Sequence, residues 1–321
     1  MKRTLPSVIV TLVLLSACAA TGASSAAPER SEGDQPSAPP SDAGAEGGIE
    51  HPAGSDAVLV ISHAGGMLPV QFQATQTPFF VLTGDGRVIV QGAQTLEFPG
   101  PALPPLIERQ LNEAGVQTIL EALQDTNLFA GELELRGMQG MVADASDTVF
   151  TLNAGGTETT VTVYALGMLM PDMEPPPGMD EAEVEAYRVL STLHDRLMTL
   201  DDWLPSDAWA SGQWQPYQPA AYRLYVRDVT DQPMEEDLPG QVLDWPTNDD
   251  PAAFGAELPD FGDGTRCGVV EGDAAAAWHA VLTEANQNTQ WAGDGDRRFA
   301  IQPRPVLPHE DPACPGLDAP G

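Results

Sequence analysis

Two pairs of β-rich runs, each split by a short glycine turn, constrain this chain more than any other feature. Phe79–Thr83 and Arg87–Gln91 flank Gly84-Asp85-Gly86, and Asp147–Asn153 and Thr157–Ala165 flank Ala154-Gly155-Gly156. Connections this short leave no room for a crossover helix, so each pair must fold back as an antiparallel hairpin. Ala57–Ser62, reading AVLVIS, has the continuous apolar run of a strand buried on both faces. Val116, Ile119, Leu120 and Leu123 recur at helical spacing behind Asn112, which predicts a helix with an asparagine N-cap. A second helix, from about Asp180 to Leu200, brings Val184, Tyr187, Leu190, Leu193, Leu197 and Leu200 to one face. Strands precede and follow helices without regular alternation. The pattern favours an α+β fold, with antiparallel sheets built from hairpins and packed helices, over a parallel doubly wound sheet.

Beyond residue 203 the periodicity is weaker. Tyr222–Val229, Cys267–Val270 and Arg297–Gln302 read as strands, and Asp273 is placed to cap a helix carrying Trp278, Val281, Leu282 and Ala285. The chain therefore divides into regions 57–200 and 203–316, which form either one domain or two. Residues 18–56 read as a linker. Of residues 19–56, 26 are Ala, Gly, Pro or Ser, and Ile49 is the only large aliphatic. Such a segment buries too little apolar surface to offset the entropy of ordering and is expected to be disordered. As a coil it spans ~35 Å.

The first residues, MKRTLPSVIVTLVLLSAC, combine a short basic start at Lys2 and Arg3 with an apolar run too short to cross a bilayer. They end in Leu15-Ser16-Ala17-Cys18. This resembles the lipobox of bacterial lipoproteins. The resemblance implies that residues 1–17 form a signal peptide, and that Cys18 is acylated and becomes the first residue of the mature chain. It implies an extracytoplasmic protein held at a membrane by lipid; paired acyl chains suffice for stable anchoring. The region beyond is similar to uncharacterised lipoproteins of high-GC Gram-positive bacteria. The similarity rests on Gly65-Gly66 after a strand, the Phe80–Ile89 hairpin, Ala143-Asp144, and Arg304-Pro305-Val306-Leu307-Pro308 before Cys314. It implies a location and a fold, with no reaction attached.

Charge narrows the partners. The chain has 47 acidic residues against 14 basic ones, a net charge of −33. Nucleic acid is excluded as a partner, because affinity for a phosphate backbone rests on basic neutralisation. Lys2 is the only lysine. Loss of the signal peptide removes Lys2 and Arg3 and leaves 12 Arg against 47 acids, a net of −35. Lysine-dependent chemistry then disappears: no Schiff base and no phosphate-binding lysine.

The remaining motifs are sparse. Cys267 and Cys314 are expected to form a disulfide, as two cysteines in an exported chain usually do. No Gly-x-Ser-x-Gly elbow occurs, and Ser62-His63 at a strand end is the one weak hydrolase signal. The histidines, His51, His63, His194, His279 and His309, are scattered, and His309-Glu310 lacks the second histidine of a zinc motif. Asp85, Asp263 and Asp294, each in Gly-Asp-Gly, read as turn residues. All six tryptophans fall between 203 and 291; they are either core packing or an exposed platform for cell-wall glycan. Met168, Met170 and Met173 form a soft-ligand cluster for Cu(I), or else continue a buried strand with period two. No cofactor is implied. The sequence thus favours a non-enzymatic envelope protein that binds or scaffolds a glycan or an envelope protein. The alternatives are an enzyme with a spatially assembled site and a methionine-based Cu(I) module.

Overall fold

The computed structural model describes residues 47–170, 172–232, 234 and 240–315. Cys18 and its lipobox lie outside the described residues, as does most of the 18–56 linker. In chain order the elements are β1 (Ala57–Ala64), α1 (Val70–Thr75), β2 (Phe80–Thr83), β3 (Arg87–Gln91), β4 (Leu106–Gln110) and α2 (Glu113–Gln124). Then come β5 (Leu133–Leu135), β6 (Asp147–Ala154), β7 (Thr157–Tyr164), α3 (Glu181–Met198), β8 (Gln215–Pro216) and β9 (Ala221–Asp228). The last third contributes β10 (Val242–Asp244), β11 (Ala256–Glu257), β12 (Arg266–Glu271), α4 (Gly272–Leu282), β13 (Gln290–Ala292) and β14 (Arg298–Pro305).

These strands make two sheets, an α+β architecture as the hairpins predict. The first runs β5-β7-β6-β1-β2-β3-β4-β8 and the second β10-β13-β14-β9-β12-β11. All pairings are antiparallel except the edge pairs β5·β7 and β10·β13. Both predicted hairpins form, as β2–β3 and β6–β7. The Gly-Asp-Gly segments are turns: Asp85 accepts from the Thr83 hydroxyl, and Asp263 accepts from the Thr265 amide at 3.1 Å.

β1 is the central strand, and its two faces serve different cores. Leu59 and Ile61 join Phe80, Leu82, Phe150, Val161 and Val163 under α2 and α3. Val60 points the other way, with Val81, Ile89, Leu106, Tyr217 and Leu307. The stripes read for α2 and α3 are all buried, Val281 of the third stripe is half-buried, and Asn112 and Asp180 cap their helices by accepting from the amides of Gly115 and Glu183 at 3.0 and 2.8 Å. Each such cap is worth about 1 kcal/mol. The predicted Asp273 cap is displaced. Gly272, at φ +56°, turns the chain straight out of β12, so α4 begins before Asp273 and its N-cap is Glu271, which makes no side-chain cap bond.

The two sequence regions belong to one compact unit. β8, from the second region, pairs with β4 of the first sheet, and Tyr217 and Leu307 supply two of the five buried residues of the core on that face. The end of the expected linker also belongs to the fold. Ile49 packs on the α2–α3 core, and the Gln117 amide side chain bonds both its backbone groups. Gly155 donates to the Glu50 carbonyl at 2.7 Å. Pro52 crosses so close to Gly84 that a Cβ there would sit 2.1 Å from the Pro52 oxygen, which is why Gly stands at that turn. The linker therefore stops short of residue 47, because Ile49 finds apolar neighbours that composition alone does not reveal.

Cys267 and Cys314 are joined in a disulfide, with Cα atoms 6.0 Å apart. It fastens the C-terminal segment to β12 beside Tyr225 and Leu258.

Candidate functional site

β1 and β6 are in register so that His63 stands opposite Thr148. Side chains alternate along a strand, so His63 shares the α2–α3 face with Leu59 and Ile61, and Ser62 points to the other face. The Ser62-His63 pair is therefore split across the sheet. His63 is the last inward residue of β1, at the point where the core opens to solvent. Its ring rests edge-on against Phe79, with centroids 4.1 Å apart.

α3 supplies the opposite wall. Leu193 and Leu197 are sunk in the core and hold the helix rotation. That rotation presents Arg188, Ser191, Thr192, His194 and Asp195 to a cleft of about 730 Å³ shared with His63 and Thr148. His194 Nδ1 lies 3.5 Å from Asp195 Oδ1. The third wall is the turn after β7. β7 ends at Tyr164 and does not run on through the methionines. Leu169, buried, pins the turn to the core and leaves Met168 and Met170 exposed on either side of it. Met170 lines the cleft, while Met173 packs on the α2–α3 core. The three methionines thus have three different surroundings.

Burial holds His63 below its ordinary pKa, and the neighbouring His194 charge lowers it further. A neutral imidazole at the cleft is a hydrogen-bond acceptor or a metal ligand at neutral pH. Ser191 and Thr148 line the cleft with the two imidazoles, and among the described residues neither hydroxyl is hydrogen-bonded to them.

A second cleft, of about 370 Å³, shares His63 and is lined by Phe72, Phe79, Gln91 and Pro101–Pro105 among others. Phe72 of α1 is exposed there, and Met67, Leu68 and Val70 in the β1–α1 segment and α1, with Leu96 and Phe98 on the β3–β4 loop, are exposed as well. No charged residue occurs between Asp56 and Asp85. In a chain of net charge −33 residues 57–84 are thus an uncharged stretch, while Glu97 stands exposed between Leu96 and Phe98, and Arg188 and Asp195 line the larger cleft.

The other sequence candidates are structural. Each of the six tryptophans is buried or half-buried. Trp278 packs against Trp245 and Trp291 at centroid distances of 4.7 and 5.0 Å, forming the core of the second sheet. Trp209 lies under the Arg109 guanidinium at 3.8 Å and Trp203 under Arg196 at 4.2 Å. The exposed aromatics are Phe72 and Phe98 instead. His279 Nδ1 is 2.5 Å from the Tyr222 hydroxyl, and His51 pairs with Glu113 at 3.2 Å. Among the described residues no three His, Cys, Asp or Glu side chains converge as a metal cluster. His63 and His194 lie far apart in the chain, and no local spacing joins them. The available signal was period two in β1, which puts His63 on the helix side.

No family model, no curated protein and no solved structure matches the chain.

Proposed function

We propose that this chain is a lipoprotein, exported and anchored to a membrane through acylated Cys18, and that its folded unit is a non-enzymatic binding protein of the cell envelope. The observation that carries the location is the Cys267–Cys314 disulfide, since structural disulfides persist in oxidising, extracytoplasmic compartments. It agrees with the Leu15–Cys18 lipobox from the far end of the chain.

Topology supports the binding role. The chain enters the folded unit at the Gly84 and Gly155 turns, where Glu50 and Pro52 are held. β1 then runs the length of the sheet to His63. Its eight residues cover roughly 26 Å at ~3.3 Å per residue. The two clefts, which share His63, and the uncharged residues 64–79 therefore lie at the end of the first sheet opposite the point where the anchored segment arrives. A partner with an apolar, uncharged contact surface, such as an envelope protein or a glycan, meets this end with the least repulsion from the acidic remainder.

Metabolic labelling with a radioactive fatty acid tests the anchor. Label on the wild type and none on Cys18→Ala is the expected result; equal label on both would end the lipoprotein reading. Crosslinking in intact cells from a photoreactive residue at Phe72, compared with one at the acidic Asp201, tests the binding face. Products confined to the Phe72 position are expected.

A further inference from the structure

We infer that the smaller cleft, lined by α1, the β3–β4 loop and β14, binds an uncharged saccharide. The inference rests on the binding role proposed above and narrows it to one cleft and one chemical class.

The lining of this cleft contains no Asp, Glu, Lys or Arg, although the chain carries 47 acidic and 14 basic residues. Its one titratable side chain, His63, is kept neutral at neutral pH by burial. Arg304, which donates to the Gln76 carbonyl, is neutralised by Glu310. A charged ligand would give up hydration here and find no counter-charge. An anionic one would also meet the repulsion of the acidic remainder.

Amide side chains take the place of charges. Gln76, Gln91, Gln94 and Gln287 line the cleft from four different segments. Among the described residues the side chains of Gln76, Gln94 and Gln287 make no hydrogen bond with the protein, and Gln91 reaches Thr77 only at 3.4 and 3.5 Å. Each primary amide presents two donors and an acceptor, so it can meet a sugar hydroxyl, itself donor and acceptor, in either sense. Phe72 lines the same cleft, is exposed, and supplies an apolar ring for the C–H face of a pyranose. Pro101, Pro104, Pro105 and Pro303 form much of the remaining wall. Their fixed φ lowers the ordering cost of binding.

Main-chain recognition of an extended peptide is not available at this cleft. β2 and β3 are hydrogen-bonded on both sides, and so is β14, so none of them offers a free edge. Recognition falls to side chains. A volume of about 370 Å³ is in the range of small-molecule sites and suits a short oligosaccharide or one end of a longer glycan.

The test is saturation-transfer NMR on the full chain carrying Cys18→Ser. The probes are short oligomers of glucose, mannose, galactose and N-acetylglucosamine, set against oligomers of glucuronic and galacturonic acid, with calorimetry on those that bind. A neutral oligomer should bind, and the uronic-acid oligomers at least about tenfold more weakly. Phe72→Ala, Gln94→Ala and Gln287→Ala, all at exposed positions, keep the fold and should each weaken binding roughly fivefold. Met170→Leu, in the larger cleft, should leave it unchanged. No binding of any neutral oligomer, affinity indifferent to all three substitutions, or preference for the uronic acids would overturn the inference. Crosslinking from Phe72 separates it from the broader reading. Protein products there without saccharide binding would end the saccharide inference alone; absence of both would end the binding role as well.

Discussion

Arg304 and Glu310 form a two-pronged ion pair, with Nη1–Oε2 and Nη2–Oε1 both at 2.6 Å, and both side chains are largely withdrawn from solvent. Arg304 also donates from Nε to the Gln76 carbonyl at 3.0 Å, just past α1, and Glu310 accepts the Leu307 amide at 3.1 Å. The pair therefore clasps β14, the α1 segment and the C-terminal tail at one point. A buried pair of this kind contributes little over an apolar replacement, but removal of one partner strands the other. Arg304→Met should destabilise the protein by about 3–5 kcal/mol. Urea denaturation followed by tryptophan fluorescence measures this; a loss below about 1 kcal/mol would mean that water replaces the clasp.

The same region sets an acid sensitivity. Burial pushes His309 below its ordinary value of 6.5, against the pull of Glu310, and its Nδ1 has no partner among the described residues. On unfolding the imidazole takes up a proton between its folded and unfolded pKa, so stability falls as pH drops below about 6.5. Glu310 acts at lower pH. Burial raises its pKa, but the Arg304 hydrogen bonds and charge and the Leu307 amide outweigh burial and hold it below the ordinary value. Its contribution is present above the ordinary carboxylate range and disappears as pH falls through the folded pKa. Unfolding midpoints at pH 7.5 and 5.5 should differ in the wild type, and the difference should shrink in His309→Phe. An unchanged difference would assign the acid sensitivity to other groups.

Opening the disulfide should cost stability without abolishing the first sheet. The bridge closes a 47-residue separation, for which the chain-entropy view gives ~4 kcal/mol. A Cys267→Ala/Cys314→Ala variant should melt lower by several degrees, and non-reducing peptide mapping of the wild type should recover the two peptides linked. Two alkylatable thiols in freshly exported protein would contradict this.

Gly84→Ala should loosen the start of the fold selectively. Its Cβ would collide with the Pro52 oxygen. The bonds from Gly84 to Asp56, Asp85 to Gly54 and Gly155 to Glu50 should then exchange hydrogen faster, while the α3 amides stay protected. Uniform acceleration across the chain would show that residues 49–56 are not a separable cap.

High salt should stabilise the protein. Fourteen basic residues against 47 acids leave like-charge repulsion that salt screens beyond a Debye length of ~10 Å at 0.1 M. The melting temperature should rise between low salt and molar NaCl; a fall would mean that the exposed ion pairs outweigh the repulsion.

What the sequence made legible follows from period and turn chemistry. β2–β3, β6–β7, α2 and α3 announce themselves because glycine turns and long apolar stripes are local signals. α1 was missed because its six residues bury none of their side chains and so carry no stripe. β10, β11 and β13 were missed because two or three residues hold no period. The linker boundary was misjudged at Ile49, whose partners lie on α2. The cleft was illegible for a different reason. His63, His194 and Met170 come to line one cleft only after β1 pairs with β6 and α3 lies across them, and no spacing in the chain encodes that arrangement.

β1 has one more consequence. The chain arrives at its Ala57 end, His63 stands near the other, and both edges of the strand are hydrogen-bonded, to β2 and to β6. In the anchored binding protein proposed above, a pull between the N-terminus and a partner gripped at the cleft would travel along this strand. Antiparallel bonds lie across the strand axis, so such a load strains them together and does not peel them one by one. The molecule should resist tension in this direction far better than a pull across the sheet. Optical-tweezer unfolding with handles at residues 47 and 63, compared with handles on β5 and β8, would register that anisotropy as a higher rupture force.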